Sequence, residues 1–325
     1  MSTTVEEIKK TEVKKDKKDE LLLDSLEIKG YRCFEHLTIE KLGRVNLIVG
    51  KNNIGKTALL EAVWIYLNRG HVINDILHNR YENRLTVNSS GNGSLASKNL
   101  FNRNLNDAEF QIGYTNDTSP IKAEWTSGDG IIFDRTPTNK IKNFFIKTDG
   151  LDNKETTAFW DSIELTYKEE EVIKSMKFIS PNLLKVRLRN VDNNVRIPFA
   201  QVENFSEPLT LKSFGEGLNR LFGISLALVN CKDGILLIDE VENGFHYSVL
   251  PDVWKLIFKT AKELNVQVFA TTHSKDCIEA FAQAAYDSPE DGMLIRLERQ
   301  GERIVAKTIE EERLIDAVNY NVEVR

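Results

Sequence analysis

No stretch of this 325-residue chain approaches the roughly 18–20 consecutive apolar residues that a membrane-spanning helix requires, so an integral membrane protein is not expected. The opening Met1-Ser2-Thr3-Thr4-Val5-Glu6-Glu7 lacks the basic start and apolar core of a secretory leader. Cysteine is scarce. Cys33, Cys231 and Cys277 lie far apart, in no zinc-ligand spacing and in odd number, which fits reduced thiols in a cytoplasmic protein and argues against a disulfide scaffold. There is no internal repeat and no heptad run. Basic charge in excess is also missing: the formal net charge of -6 gives no global attraction to DNA or membrane, so any nucleic-acid contact must come from a local patch or a partner.

What is present is organised from the two ends inward. Residues 1–20 alternate lysines with acids around few apolar side chains and read as a flexible, solvated tail. Order is expected from residue 21. Leu22, Leu26 and Ile28 begin a strand, Leu37-Thr38-Ile39 makes a second, and Val45-Asn46-Leu47-Ile48-Val49 a third. That third run is apolar without alternation, as a strand covered on both faces of a parallel sheet should be. A helix is predicted over residues 58–68. Residues 71–204 are less regular and read as a variable inserted region. It holds a loop at residues 88–94, strands near residues 110–114 and 130–133, a helix over residues 167–178 and a strand over residues 183–188. Helix and strand then alternate again: an apolar helix from Leu218, the strand Ile235–Ile238, an amphipathic helix from Leu250 to Leu264, the strand Val266–Thr271, a helix from about Ser274, a closing hairpin, and a helical stretch over residues 310–320. The pattern predicts one α/β domain over residues 21–325, with a mixed central sheet flanked by helices and an antiparallel β lobe.

Four short motifs carry chemistry. Gly50-Lys51-Asn52-Asn53-Ile54-Gly55-Lys56-Thr57 satisfies the phosphate-loop pattern G-x-x-x-x-G-K-[ST], between a predicted buried strand and a predicted helix. Its glycines let successive backbone N–H groups and the helix start wrap a phosphate. Lys56 would reach the β- and γ-phosphates of a bound nucleotide, and the Thr57 hydroxyl would bind Mg²⁺. The run Ile235-Leu236-Leu237-Ile238-Asp239-Glu240 places Asp239 at the carboxyl edge of the sheet, suited to hold Mg²⁺, and Glu240 beside it, suited to polarise an attacking water. Thr271-Thr272-His273-Ser274 ends another apolar strand; His273 there either senses the γ-phosphate or plays a structural part, and Ser274 is a plausible helix cap. In Ser213-Phe214-Gly215-Glu216-Gly217, Ser213 and Glu216 fit a capping box, while Gly215 and Gly217 suit close approach to an anion.

The order of these motifs resembles that of the ATP-binding-cassette ATPases, and within them the branch holding RecF-type, structural-maintenance-of-chromosomes and overcoming-lysogenization-defect ATPases. The opening residues 26–34 are similar to the first strand of that branch, and residues 240–246 to its loop after the second acid. The resemblance implies a P-loop ATPase fold and a head-to-tail homodimer, in which Ser213, Gly215 and Gly217 of one subunit close over ATP and Mg²⁺ held by the P-loop of the other. It further implies Glu240 as catalytic base and His273 as a switch. Arg32 either contacts phosphate or is a plain surface arginine.

The departures are informative too. The signature is not the Leu-Ser-Gly-Gly-Gln usual in transporter subunits, and without heptads a long-armed chromosome-maintenance protein is excluded. The glutamine this class uses near Mg²⁺ has only weak candidates, Gln111 and Gln201. The chain ends too soon after His273 for the Toprim-type nuclease domain of overcoming-lysogenization-defect proteins, and so a separately encoded effector of that kind is expected as a partner. Six basic residues, Lys174, Lys177, Lys185, Arg187, Arg189 and Arg196, form either a nucleic-acid patch or a solvated face; Lys185, Arg187 and Arg189 alternate along a predicted strand and would share one side. Two functions follow: an ATPase whose dimerisation gates an effector, plausibly a nuclease in phage defence or genome maintenance, or a RecF-like DNA clamp or scaffold. A GTPase fits poorly, because no Asn-Lys-x-Asp motif follows the second acid.

Overall fold

The computed structural model describes residues 21–80, 98–103, 108–126, 130–134, 141–192, 195–288 and 291–310. The expected tail, the loop at residues 88–94 and the helical stretch beyond residue 310 lie outside the described residues. Three sheets form. Strands β1 (Leu26–Tyr31), β2 (Phe34–Ile39), β4 (Glu109–Gly113), β5 (Ile121–Thr126) and β6 (Gly130–Asp134) make an antiparallel lobe in the order β2-β1-β4-β5-β6. The central sheet joins β3 (Val45–Val49), β7 (Asn143–Ile146), β11 (Ile235–Ile238), β12 (Gln267–Thr271), β13 (Gly292–Gln300) and β14 (Arg303–Glu310) in the order β14-β13-β3-β12-β11-β7. All its pairings are parallel except the β13–β14 hairpin. A third sheet orders β10 (Leu209–Thr210), β9 (Val195–Val202) and β8 (Leu183–Asp192).

Alternation along the parallel strands divides the core in two. Ile48, Ile235, Leu237, Phe269 and Ile295 face the lobe and helix α1 (Lys56–Leu67), joined by α2 (Ile73–Asn79). Leu47, Val49, Leu236, Ile238, Val268 and Ala270 face α5 (Glu216–Asn230), α6 (Leu250–Glu263) and α7 (Lys275–Tyr286). A sheet covered on both sides buries its strands along their whole length, as in β3, β11 and β12, which are apolar apart from the hydrogen-bonded Asn46, Gln267 and Thr271. A third, smaller core packs α3 (Asn153–Asp161) and α4 (Tyr167–Met176) against β8, β9 and α5.

Two differences from the sequence reading stand out. The middle of the chain is woven into the fold rather than hung on it: β4, β5 and β6 extend the lobe, and β7 pairs in parallel with β11 to complete the central sheet. The Ser213–Glu216 capping box does not form. Residues Leu211–Phe214 coil into a 3₁₀ turn, Gly215 takes the position before α5 at φ +106°, and no side chain caps that helix. A capping serine must stand in extended backbone immediately before the helix; Ser213 is inside the turn and bonds Thr210 Oγ1 at 2.7 Å instead. Ser274 does cap α7, accepting from the Cys277 amide at 3.2 Å.

Candidate active site

Four neighbouring parallel strands end on the same edge of the central sheet, and each delivers a polar residue there. The loop after β3 is the P-loop, which turns into α1 at Lys56. Gly55 sits at φ +104°, and a Cβ on it would stand 2.5 Å from Cys33 Sγ and 2.9 Å from the Phe34 ring, so the β1–β2 turn lies directly on the loop. Lys56 Nζ donates to Gly50 O at 2.7 Å, to Lys51 O at 3.2 Å and to His273 Nδ1 at 3.2 Å. Burial lowers the lysine's pKa, against the pull of Asp239, Glu240 and Glu242.

Thr57 Oγ1 stands 3.2 and 3.1 Å from the two carboxylate oxygens of Asp239, the residue that follows β11. Thr271 Oγ1, at the end of β12, donates to Asp239 Oδ1 at 2.6 Å and accepts from the Glu240 amide at 2.8 Å. Thr148 Oγ1, just after β7, reaches Asp239 Oδ2 at 3.4 Å. Glu240 adopts φ +47°, a left-handed conformation that costs free energy unless the surroundings impose it. Its carboxylate lies 3.5 Å from His273 Nε2. Because Lys56 donates to Nδ1, the neutral imidazole carries its proton on Nε2, the nitrogen facing Glu240. The His273 amide in turn donates to Glu242 Oε1 at 2.8 Å.

These groups border one cleft of about 920 Å³, lined by Arg32, Cys33, Asn52, Asn53, Gly55, Lys56, Thr57, Arg80, Glu240, Glu242, Asn243 and His273. Asp239 lies buried beneath it, and Gly50 and Lys51 border the adjoining hollow. Ile54 turns its side chain into the core. Arg32 is not a plain surface residue: its side chain is 10% exposed and bonds Glu61 Oε2 at 2.9 Å, while Arg80 takes the other oxygen of the same carboxylate at 2.6 Å. Ser213, Gly215 and Gly217 do not border this cleft; Ser213 and Gly215 are exposed at the start of α5.

The AAA ATPase domain family matches residues 22–193 and 161–278, most of the chain. The chain belongs to this family. A Helicobacter pylori relative named an ATP/GTP phosphatase is 24% identical over 330 residues, covering 81% of this chain and 88% of its own. A Methanocaldococcus jannaschii protein is 37% identical over 92 residues, covering 28% of this chain and 81% of the relative. The DNA replication and repair protein RecF of Pseudoalteromonas translucida is 48% identical over 48 residues, which span 15% of this chain and 13% of RecF. Among solved structures, an Smc head bound to the C-winged helix domain of ScpA superposes with TM-score 0.59 at 13% identity, covering 90% of this chain and 99% of the head. The Pyrococcus furiosus Smc head gives 0.58 at 11% identity, covering 92% and 99%. This AAA-family chain is thus an ATPase with the ATP-binding-cassette fold of Smc heads.

Several residues of this ATPase's site escape a reading of the sequence. Arg220 of α5 donates to Lys147 O at 2.6 Å, Asp239 O at 2.8 Å and Glu240 O at 3.2 Å, and Glu61 organises two arginines. Both are lone charges in otherwise apolar helical runs, a pattern that marks a buried, partnered ion. Thr148 carried no signal, since its role depends on β7. Gln111 lies in the β lobe, bonding Glu109, and Gln201 is exposed on β9; neither borders the cleft. In the basic stretch, Lys185, Arg187 and Arg189 do share the outer side of β8. Arg187 is paired with Glu169, Arg196 with Asp161 at 2.7 Å, and Arg189 lies over the Phe199 ring.

Proposed function

We propose that the chain binds MgATP in the P-loop cleft, hydrolyses it within a head-to-tail homodimer, and uses that cycle to gate a separately encoded effector, a Toprim-type nuclease in phage defence or genome maintenance. The observation that carries this reading is the separation of parts. Lys56, Thr57, Glu240 and His273 border one cleft with Asp239 beneath it, while Ser213 and Gly215 stand exposed elsewhere on the same chain. A second copy is the natural source of the missing signature.

Thr57 and Asp239 suit Mg²⁺: a hydroxyl and a single carboxylate converge, hard oxygen donors that leave room for water and phosphate. Bound there, the ion would neutralise charge on the β- and γ-phosphates. Lys56 exchanges its carbonyl and imidazole partners for phosphate oxygens. His273, protonated on Nε2, donates to the γ-phosphate, and the freed Glu240 carboxylate orients water and accepts its proton. Arg32 and Arg80, held on one carboxylate, add positive charge to the cleft wall. Partner Ser213, Gly215 and Gly217 supply hydroxyl and backbone donors from the other side.

Steady-state turnover and nucleotide binding test this directly. Glu240→Gln should lower turnover by about 10²–10⁴-fold, the span typical of general acid–base groups, with MgATP affinity retained. Lys56→Ala should abolish binding. Turnover that survives Glu240→Gln would contradict the assignment of the base. Three free cysteines and, among the described residues, no helix long and apolar enough to cross a membrane suit the cytoplasmic setting that such a partner needs.

A second reading, an ATP-dependent DNA clamp, draws on the short RecF match and on Lys185 and Arg189, which point outward from β8. Because Arg187 and Arg196 are already paired, Lys185→Glu with Arg189→Glu is the informative double change. A clamp predicts salt-sensitive DNA binding in the ATP state that this double change abolishes; DNA binding that survives it, or none at all, speaks for the gated effector.

A further inference from the structure

We infer that Arg220 is a positioning residue for hydrolysis, which holds the Asp239–Glu240 turn in its working conformation and ties it to the signature end of α5. The inference rests on the cleft and dimer proposed above and adds a component to them.

The carbonyls at the end of a parallel sheet need donors once the ladder stops. At the adjacent ends of β7 and β11 one guanidinium provides them. Arg220 Nη1 donates to Lys147 O, and Nη2 to both Asp239 O and Glu240 O. The residue is buried, its Nε has no hydrogen-bond partner, and burial lowers its pKa. A carbonyl clamp is thus what occupies this arginine, in place of a direct carboxylate pair. Its three acceptors frame the one segment whose geometry catalysis depends on. Lys147 precedes Thr148, which reaches Asp239; Asp239 meets Thr57; and Glu240 is held at φ +47° between Arg220 on its carbonyl and Thr271 on its amide. Such a backbone persists only where both flanking groups are fixed.

The same helix begins with the signature, and a second contact joins the two. A Cβ on Gly217 would come within 2.9 Å of Gly244 O, so the first turn of α5 lies against the loop that follows Glu240. Arg220 stands one turn further along that helix. The start of α5 and residues 239–244 therefore form one packed unit, clamped at Gly217–Gly244 and at Arg220. Seating a partner's nucleotide on the signature of one subunit then bears on that subunit's own Glu240, across the body of the protein and not only across the dimer interface.

The test compares wild type with Arg220→Lys, which keeps the charge and shortens the reach, and Arg220→Met, which keeps bulk and removes all donors. Turnover at saturating MgATP is measured beside the Kd for MgATP, with thermal unfolding as a check on folding. The expected result is a split: kcat falls at least about tenfold in Arg220→Lys and further in Arg220→Met, while Kd changes by less than about threefold, since loss of charge-assisted hydrogen bonds misplaces Glu240 but leaves the P-loop intact. Hydrogen exchange on wild type needs no variant: on adding MgATP, amides of residues 216–220 and 240–244 should change protection together. A kcat in Arg220→Lys equal to wild type, a Kd loss as large as the kcat loss, or independent exchange of the two segments overturns the inference. If wild type itself neither binds MgATP nor associates on binding it, the failure belongs to the proposed function instead.

Discussion

Lys56 and Cys33 both border the cleft, and both carry the mark of burial. The ammonium is held below the ordinary lysine value of 10.5, so at a given pH near that value the native chain binds fewer protons than the unfolded one. The burial penalty on its charge is present at neutral pH and fades as pH rises toward 10.5; a bound polyphosphate removes the same penalty by supplying a counter-charge. Burial pushes the three thiols up from 9.0, Cys231 and Cys277 to about 12. Since only the thiolate reacts with disulfide reagents, native protein should label slowly and at one position, Cys33, faster as pH climbs past 9. Saturating MgATP should block that label, because Cys33 borders the cleft. Quantified thiol release with and without nucleotide, followed by peptide mapping, checks this; rapid labelling of Cys231 or Cys277 in folded protein would contradict the packing described.

At the scale of elements, what was legible in the sequence was whatever local pattern alone determines. β3, β11 and β12 announce themselves as largely apolar runs without alternation because both their faces are covered, and the P-loop lies where strand passes into helix. The P-loop, Asp239, Glu240 and His273 came together because parallel strands put their ends on one edge, and Ser213, Gly215 and Gly217, which follow no strand of that sheet, stayed apart. The middle was harder for a physical reason. β7 is a four-residue edge strand, Asn-Phe-Phe-Ile, with three of its residues only partly buried, and its place beside β11 is set by tertiary pairing that no local period encodes. Thr148 was hidden with it. The capping box at Ser213 was misread because the same four-residue spacing is compatible with a 3₁₀ turn broken by Gly215; a true box stands at Asp152 and Glu155, opening α3. Asp152 accepts from the Glu155 amide at 2.7 Å, and Glu155 accepts from the Asp152 amide at 2.9 Å. Asp152→Ala should therefore cost about 1 kcal/mol of stability, read from urea unfolding, and Ser213→Ala almost none.

For the whole molecule the decisive question is whether one pocket needs two chains. Each chain carries a P-loop cleft that its own signature does not border, which is the arrangement that the proposed sharing of one pocket between two copies requires. Mixing two inactive variants measures this directly. Lys56→Ala destroys the P-loop and leaves the signature; Ser213→Arg blocks the signature and leaves the P-loop. Each alone should be inactive. Mixed in equal amounts, half of the dimers pair one variant with the other, and each such dimer rebuilds one intact pocket from the P-loop of Ser213→Arg and the signature of Lys56→Ala. ATP turnover should return to about one quarter of wild type, as the symmetry of a head-to-tail pair requires. Full activity of Ser213→Arg alone, or no recovery on mixing two folded variants, would contradict a pocket shared between subunits.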